Sequence, residues 1–282
     1  MPRRPLVALF LLGSLLAACT GVFYQPSRFV FAPRPERAED VEIRSRDGTL
    51  LRGWLIRAED GAPKATFVHF HGNGSNITGH VRQLLWVTRH GYDLFEFDYR
   101  GYGASEGVPS QKGVHEDAVA ALKYAEDVLA PQSHAPVVLY GQSLGGAVML
   151  RAIGDAGTEH VEAVVVESSF HSYQEVAASA LFRTPLLFPL TGLAYSAVSD
   201  EYAPARYVAT IAPIPLLVIH GDDDPIVPLR FGRILYALAR EPRTLWIIPG
   251  GRHVDAMQAA GGIYRERLLR FVEAATRARS PG

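Results

Sequence analysis

Val137-Val138-Leu139-Tyr140-Gly141-Gln142-Ser143-Leu144-Gly145-Gly146 carries an apolar strand pattern into a glycine-rich turn, and a helical pattern with Ala147, Val148, Leu150 and Arg151 follows. Gly141-Gln142-Ser143-Leu144-Gly145 has the Gly-x-Ser-x-Gly form of a sharp strand-to-helix elbow, which strains the serine at its apex and exposes its hydroxyl. Glycine suits positions 141 and 145, because a Cβ at either would press on the neighbouring strand or helix. Backbone N–H groups at the start of the helix face whatever Ser143 attacks, ready to hold a developing negative charge. A chance Gly/Ser-rich loop has no reason to join a buried strand to a helix. The pattern therefore singles out Ser143 as a nucleophile.

Outward from the elbow, short apolar runs alternate with helix-length segments. Val41–Arg44 and Leu50–Ile56 flank Asp47-Gly48, a hairpin signal. The pattern then predicts strands over Ala65–Phe70, Tyr92–Phe97, Val137–Tyr140, Val161–Val166, Pro215–Ile219 and Thr244–Ile248. Helices are expected over Ile77–His90, Val114–Leu129, the segment after the elbow, and Val254–Thr276. Strands buried on both faces and alternating with helices describe an α/β fold: a mostly parallel twisted sheet, opened by an antiparallel hairpin. Reactive groups in such sheets gather beyond the carboxyl ends of the strands.

The loops at those ends carry the polar motifs. His69-Phe70-His71-Gly72-Asn73-Gly74-Ser75-Asn76 follows one strand. An elbow serine takes one oxyanion donor from the residue after it and a second from this earlier loop, which points to the N–H groups of Leu144 and Asn73. His71 precedes the serine and is expected to brace its loop. Asp98-Tyr99-Arg100-Gly101-Tyr102-Gly103-Ala104-Ser105 marks another tight loop, where Asp98 and Arg100 could pair. In His220-Gly221-Asp222-Asp223-Asp224-Pro225-Ile226-Val227-Pro228, Asp224 precedes proline, which holds its backbone extended and aims its carboxylate. Asp222 is expected to bond N–H groups of its own turn, and Glu167, at another strand end, is a reserve acid. Of ten histidines, His253 follows Asp224 and ends the last strand at Gly250-Gly251-Arg252. From there it can reach Ser143 through space. His80, His90, His115, His134 and His160 read as surface residues.

Leu181 to Val198 breaks the alternation with Leu181, Phe182, Leu186, Leu187, Phe188, Leu190 and Leu193 around Pro185 and Pro189. Too proline-broken for a membrane span and too apolar for a free loop, it reads as a small apolar lid or as a helix pair packed into the core. A lid would fit acyl chains or other apolar groups of a small-molecule or acylated substrate.

At the amino end, Arg3 and Arg4 precede an apolar run from Leu6 to Ala18, closed by Leu16-Ala17-Ala18-Cys19. About 13 apolar residues fall short of a span of roughly 20 and describe a secretory signal. With the chain's one cysteine directly after Leu-Ala-Ala, the segment resembles a bacterial lipoprotein signal, the alternative being a plain cleaved signal peptide or an uncleaved anchor with Cys19 a bystander. That resemblance implies cleavage before Cys19, a diacylglyceryl group on its thiol, and a chain held by lipid to a membrane of the bacterial envelope. Thr20 to Asp40, with Pro26, Pro33 and Pro35, then reads as a tether whose Phe23, Tyr24, Phe29 and Phe31 rest on the domain or at the lipid surface.

The composition sets the remaining bounds. The 282 residues are 48% apolar and 20% charged, with a net charge of −1 and a pI near 6.8. No long basic block favours nucleic acid. A single cysteine excludes intrachain disulfides and cysteine-built metal sites. Nothing in the pattern sets an oligomeric state.

From about Val41 to its end, the chain resembles the α/β-hydrolases, specifically the small-lid ABHD-type serine hydrolases. The resemblance rests on His71-Gly72-Asn73-Gly74, Asp98 to Ser105, Gly141 to Gly145, His220 to Pro228 and Gly250 to His253, in that order. Together with the lipoprotein-signal resemblance, it divides the chain into a signal over 1–18, an anchor and tether over 19–40, and a hydrolase domain over 41–278 with its lid near 170–209. It further implies a Ser143, Asp224, His253 triad acting on an ester or thioester, with no metal or nucleotide cofactor. Arg252 before the histidine and Val254-Asp255 after it depart from the small residue and asparagine that many relatives carry. A peptidase, or an envelope-anchored scaffold on a hydrolase shell without chemistry, remains the alternative at this point.

Overall fold

The computed structural model describes residues 23–184 and 186–279, so Cys19 and the apolar run before it lie outside the described residues. Eight strands form one sheet: β1 (Ala38–Arg44), β2 (Leu50–Ile56), β3 (Thr66–Phe70), β4 (Asp93–Phe97), β5 (Val137–Gln142), β6 (Val161–Glu167), β7 (Leu216–Gly221) and β8 (Arg243–Ile248). Their order is β1-β2-β4-β3-β5-β6-β7-β8. β1 and β2 form the antiparallel hairpin, β2 runs antiparallel to β4, and every later pair is parallel. This is the α/β-hydrolase architecture.

Burial follows the pattern that specifies it. On β1 the inward Val41 and Ile43 alternate with exposed Glu42 and Arg44, as befits an edge strand with one wet face. β3, β4, β5 and β7 are buried at every position, because helices cover both faces of the central sheet. The longer helices are α1 (Gln111–Tyr124), α2 (Leu144–Ala156), α3 (Tyr173–Phe182), α4 (Thr191–Ala197), α5 (Leu229–Leu238) and α6 (Ile263–Arg279). α1 and α2 pack Val114, Ala118, Ala147 and Val148 against Val68, Phe70, Leu139 and Val164. On the other face, Leu268 and Val272 of α6, with Val81, Leu84 and Val87, meet Phe67, Tyr140, Val165 and Leu217.

Two helical expectations change. Ile77–His90 is helical only as three short pieces, Ile77–His80, Val81–Gln83 and Leu85–His90, the last two with 3₁₀ geometry. The final helix starts at Ile263 rather than Val254, because Ala260, Gly261 and Gly262 turn left-handed, with φ of 47°, 67° and 86°. Those turns leave the stretch after His253 free to form a loop.

Between β6 and β7 the insert forms α3, a turn over Phe188–Leu190, and α4, and the two helices meet through Ala177, Ala178 and Ala194. Much of its apolar surface is exposed, unlike that of a helix pair packed wholly into a core. Arg183, just past α3, ties it to the loop after β7 by donating to the Pro225 and Ile226 carbonyls, both at 2.6 Å. Tyr24 is buried, whereas Phe29 and Phe31 of the tether are exposed. Among the described residues no helix is long and apolar enough to cross a membrane.

Candidate active site

Ser143 follows β5 directly and caps α2 with φ 52° and ψ −119°, a region that side chains other than glycine avoid. Such strain is worth about 1–3 kcal/mol and persists only where neighbours over-determine it. Here the Ser143 N–H donates to the Glu167 carbonyl at 2.9 Å, and the Ser169 hydroxyl donates to the Ser143 carbonyl at 2.7 Å. The glycines do what the turn requires. A Cβ on Gly145 would lie 2.0 Å from the Phe70 carbonyl oxygen, and one on Gly141 2.6 Å from Gly146 Cα.

The loops beyond β7 and β8 bring two more side chains to that serine. Asp224 Oδ1 accepts from the N–H groups of Ile226 and Val227 at 2.8 and 2.9 Å, a local turn that leaves Oδ2 aimed outward. Oδ2 lies 2.8 Å from His253 Nδ1, and His253 Nε2 lies 2.9 Å from Ser143 Oγ. Because a carboxylate only accepts, Nδ1 carries the ring proton and Nε2 is left to accept from the serine hydroxyl. Burial pushes the Asp224 carboxyl up. The bond from His253 and the two backbone N–H groups more than offset this and hold it below the usual carboxylate range.

On the opposite side of Ser143, the backbone of Gly72 passes so close that a Cβ there would lie 3.5 Å from the serine Cβ. Asn73 follows, its side-chain oxygen accepting from Gln25 N–H and the Tyr102 hydroxyl, each at 2.8 Å. Leu144, the first residue of α2, has a backbone N–H with no acceptor within the helix. The structure thus brings Ser143, Asp224, His253, Leu144 and the Asn73 loop to one point.

Residues in supporting roles sort differently from several expectations. His71 braces its loop through Nδ1 and the Gly72 carbonyl, at 2.8 Å. Asp98 accepts from Ile77 N–H at 2.9 Å. Arg100 does not pair with Asp98 but is held by Asp117 and Asp47. Asp222 bonds Gly250 N–H of the histidine loop at 2.7 Å rather than its own turn. His80 and His115 are not surface residues: His80 stacks on His71 with centroids 4.9 Å apart, and buried His115 lies 2.9 Å from Asp155.

Glu167 does not approach His253 as an acid; it anchors a buried polar chain that crosses four strands. Its Oε2 accepts from Tyr140 and Gln142 at 2.7 and 2.8 Å, and its Oε1 from Ala256 N–H, in the histidine loop, at 2.9 Å. Gln142 meets His69 Nε2 at 2.8 Å, and His69 Nδ1 meets Glu96 at 2.8 Å. Burial pushes the His69 ring down, but the adjacent Glu96 carboxylate offsets this and leaves it raised. Next in sequence, the Ser168 hydroxyl accepts from Val254 N–H at 3.1 Å. Sequence reasoning missed this chain. Its signal was present in His69, Glu96, Gln142 and Glu167, polar residues inside apolar strand runs, which must be paired once buried.

The family model described as Hydrolase_4, serine aminopeptidase S33, matches residues 61–208. The chain belongs to the Hydrolase_4 family. It is an α/β-hydrolase and, at the level the family carries, a hydrolytic enzyme. The match spans the Asn73 loop and the elbow and ends before Asp224 and His253. The uncharacterized protein YfhR of Escherichia coli strain K12 is 38% identical over 257 residues, covering 89% of this chain and 86% of that one. The alpha/beta hydrolase domain-containing protein WAV2 of Arabidopsis thaliana is 30% identical over 243 residues, covering 83% and 78%. In fold, the chain is similar to the Pyrococcus furiosus esterase PF2001, with a TM-score of 0.73 at 22% identity over 90% of this chain and 98% of that one.

Proposed function

We propose that this hydrolase cleaves a carboxylic ester or thioester of an apolar acyl group, with Ser143 as nucleophile, His253 as base and Asp224 as its partner. The observation that carries the reading is the hydrogen-bonded series Asp224–His253–Ser143, at 2.8 and 2.9 Å. His253 Nε2 takes the hydroxyl proton as Ser143 Oγ attacks the carbonyl carbon. Asp224 keeps the ring in that tautomer and stabilises the imidazolium. The N–H groups of Leu144 and Asn73 receive the oxyanion, a role in which one donor is worth about 10²–10³ in rate. The imidazolium then protonates the leaving alcohol or thiol. Water, deprotonated by the same ring, cleaves the acyl-enzyme and restores Ser143.

An apolar acyl group is favoured by the insert, which acts as a lid in this reading and has no charged residue between Arg183 and Asp200. Cys19 is the attachment point for lipid, and Cys19→Ala releases the chain from membranes. The deciding experiment uses p-nitrophenyl butyrate and a fluorophosphonate probe. Wild type hydrolyses the ester and takes the probe at Ser143; Ser143→Ala does neither while melting as wild type does. Hydrolysis surviving in Ser143→Ala moves the nucleophile elsewhere, and a folded wild type that neither turns over nor labels is a scaffold.

The family description supports a second reading as a serine aminopeptidase. Turnover of aminoacyl anilides far above that of matched esters would establish it.

A further inference from the structure

We propose that the exposed apolar face of the insert docks on a lipid bilayer, so that the active-site end of the sheet faces the membrane. The proposal rests on the Cys19 reading for how the chain reaches that surface, and on the fold for which face meets it.

Three observations converge on that end of the molecule. The insert exposes a continuous set of large apolar side chains, with Leu186 at 87%, Phe182 at 60%, Phe188 at 53% and Leu190 and Leu193 at 47%. No charged residue interrupts the sixteen positions from Thr184 to Ser199. A contiguous uncharged patch of this kind marks an interaction surface rather than ordinary scattered exposure.

The amino end arrives at the same place. Phe23, the first described residue, stacks edge-on against Tyr173 at 5.3 Å and packs on the Ala177, Ala178 and Ala194 contact between α3 and α4. Cys19 precedes Phe23 by four residues, which span at most about 14 Å even when extended. A lipid on Cys19 therefore holds the insert within about that distance of the bilayer surface.

The tether extends the same face. It is bonded to the segment beyond β3, through Gln25 N–H to Asn73 at 2.8 Å and Phe31 N–H to Thr78 at 2.9 Å, and to the loop beyond β4, whose Gly103 N–H donates to the Ser27 carbonyl at 2.9 Å. It presents Phe29 and Val30, 67% and 66% exposed, at the carboxyl end of the parallel strands. Acyl chains bound at one point anchor weakly unless a second element shares the load, and an apolar face sunk into the head-group boundary supplies one. Substrate acyl chains would then enter from lipid rather than from water.

The test uses full-length chain carrying Leu190→Cys, labelled with the fluorophore NBD and mixed with phosphatidylethanolamine/phosphatidylglycerol vesicles. Gln132→Cys, exposed at the amino end of β5 and thus on the opposite side, is the companion. The expected result is a blue shift and quenching by nitroxide lipids at position 190, with neither at position 132. Aqueous emission at 190 overturns the proposal. A blue shift that nitroxide lipids do not quench also overturns it, because a second copy or another protein then covers the face. One dye per chain shows that Cys19 is blocked; two dyes mean a free thiol and sink the anchor reading alone. In that case the difference between the 190 and 132 samples still decides docking.

A second arm uses Phe29→Glu, on the tether and outside the insert, where the residue is 67% exposed. It should reduce hydrolysis of a long-chain acyl ester held in vesicles by about tenfold, the partitioning lost with one large apolar side chain. Hydrolysis of soluble p-nitrophenyl butyrate should stay at the wild-type rate. Equal loss on both substrates, or on neither, counts against docking. A wild type inactive on both removes the ester reading, and docking is then decided by the fluorescence difference alone.

Discussion

Glu167→Gln tests whether the buried chain beneath the elbow sets the position of His253. The substitution keeps the shape and removes one acceptor. In the native protein Glu167 receives three donors: Tyr140 and Gln142 at Oε2, and Ala256 N–H at Oε1. A glutamine has a single carbonyl oxygen. Placed toward Tyr140 and Gln142 it keeps two bonds, and its NH₂ then faces the Ala256 N–H, donor against donor. Leaving a buried donor unsatisfied is worth about 1–3 kcal/mol. That penalty falls three residues after His253, in a loop otherwise held by Asp222, Asp224 and Ser168. If the loop relieves it by shifting, transition-state stabilisation drops by a similar amount, a fall of about 5- to 150-fold in kcat/KM. The assay is p-nitrophenyl butyrate hydrolysis alongside a thermal melt, with Ser168→Ala as a companion that frees Val254 N–H from the same segment. Wild-type kcat/KM in Glu167→Gln would show that the chain does not position the histidine. So would a variant that loses stability while each folded molecule keeps full activity, since the chain would then support the fold without aiming the ring.

Other perturbations read separate parts of the site. Asp224→Asn turns Oδ2 into a donor facing His253 Nδ1–H and forces the wrong ring tautomer, so kcat should fall by about 10⁴ with the melt little changed; loss below tenfold would remove Asp224 from the triad. Gly145→Ala places a Cβ 2.0 Å from the Phe70 carbonyl oxygen and 2.4 Å from that of His71, neither of which can swing aside. Overpacking of about 1–3 kcal/mol or more should lower Tm by roughly 2–12 °C, read by calorimetry. The pH dependence of stability follows from His80, held at about 3 by burial and then by the stacked His71, against 6.5 when free. Above pH 6.5 the ring is neutral folded or unfolded, and its contribution is fully present. As pH falls toward 3 the unfolded chain takes up a proton that the folded one refuses, and stability drops by at most about 1.4 kcal/mol per unit. Because His80 is only partly buried as a residue, that figure is a ceiling. In urea titrations between pH 7 and 4, His80→Asn should show a shallower decline than wild type; equal slopes would deny His80 the role.

The sheet, its opening hairpin and the elbow are legible in the chain without coordinates. Each is written in local terms: strand runs of period two or fully apolar, Asp47-Gly48 at a turn, and glycines at 141 and 145 where a Cβ would strike backbone. Pro225 likewise ranks Asp224 over its neighbours, and a place after the last strand singles out His253. What local pattern leaves open is anything that depends on which strand lies beside which. Asp98 and Arg100 stand two apart in the chain, yet Arg100 pairs with Asp47 and Asp117, because the β1–β2 turn and α1 reach it first. Glu167 reads as a spare acid and is instead the end of a polar chain. Pairing of β6 with β5 sets it against Gln142, and pairing of β3 with β5 and β4 brings His69 and Glu96 into line. Local pattern chooses the elements, whereas hydrogen-bond partners across a sheet are chosen by strand order. Folding alone brings Ser143 within 2.9 Å of a histidine 110 residues away.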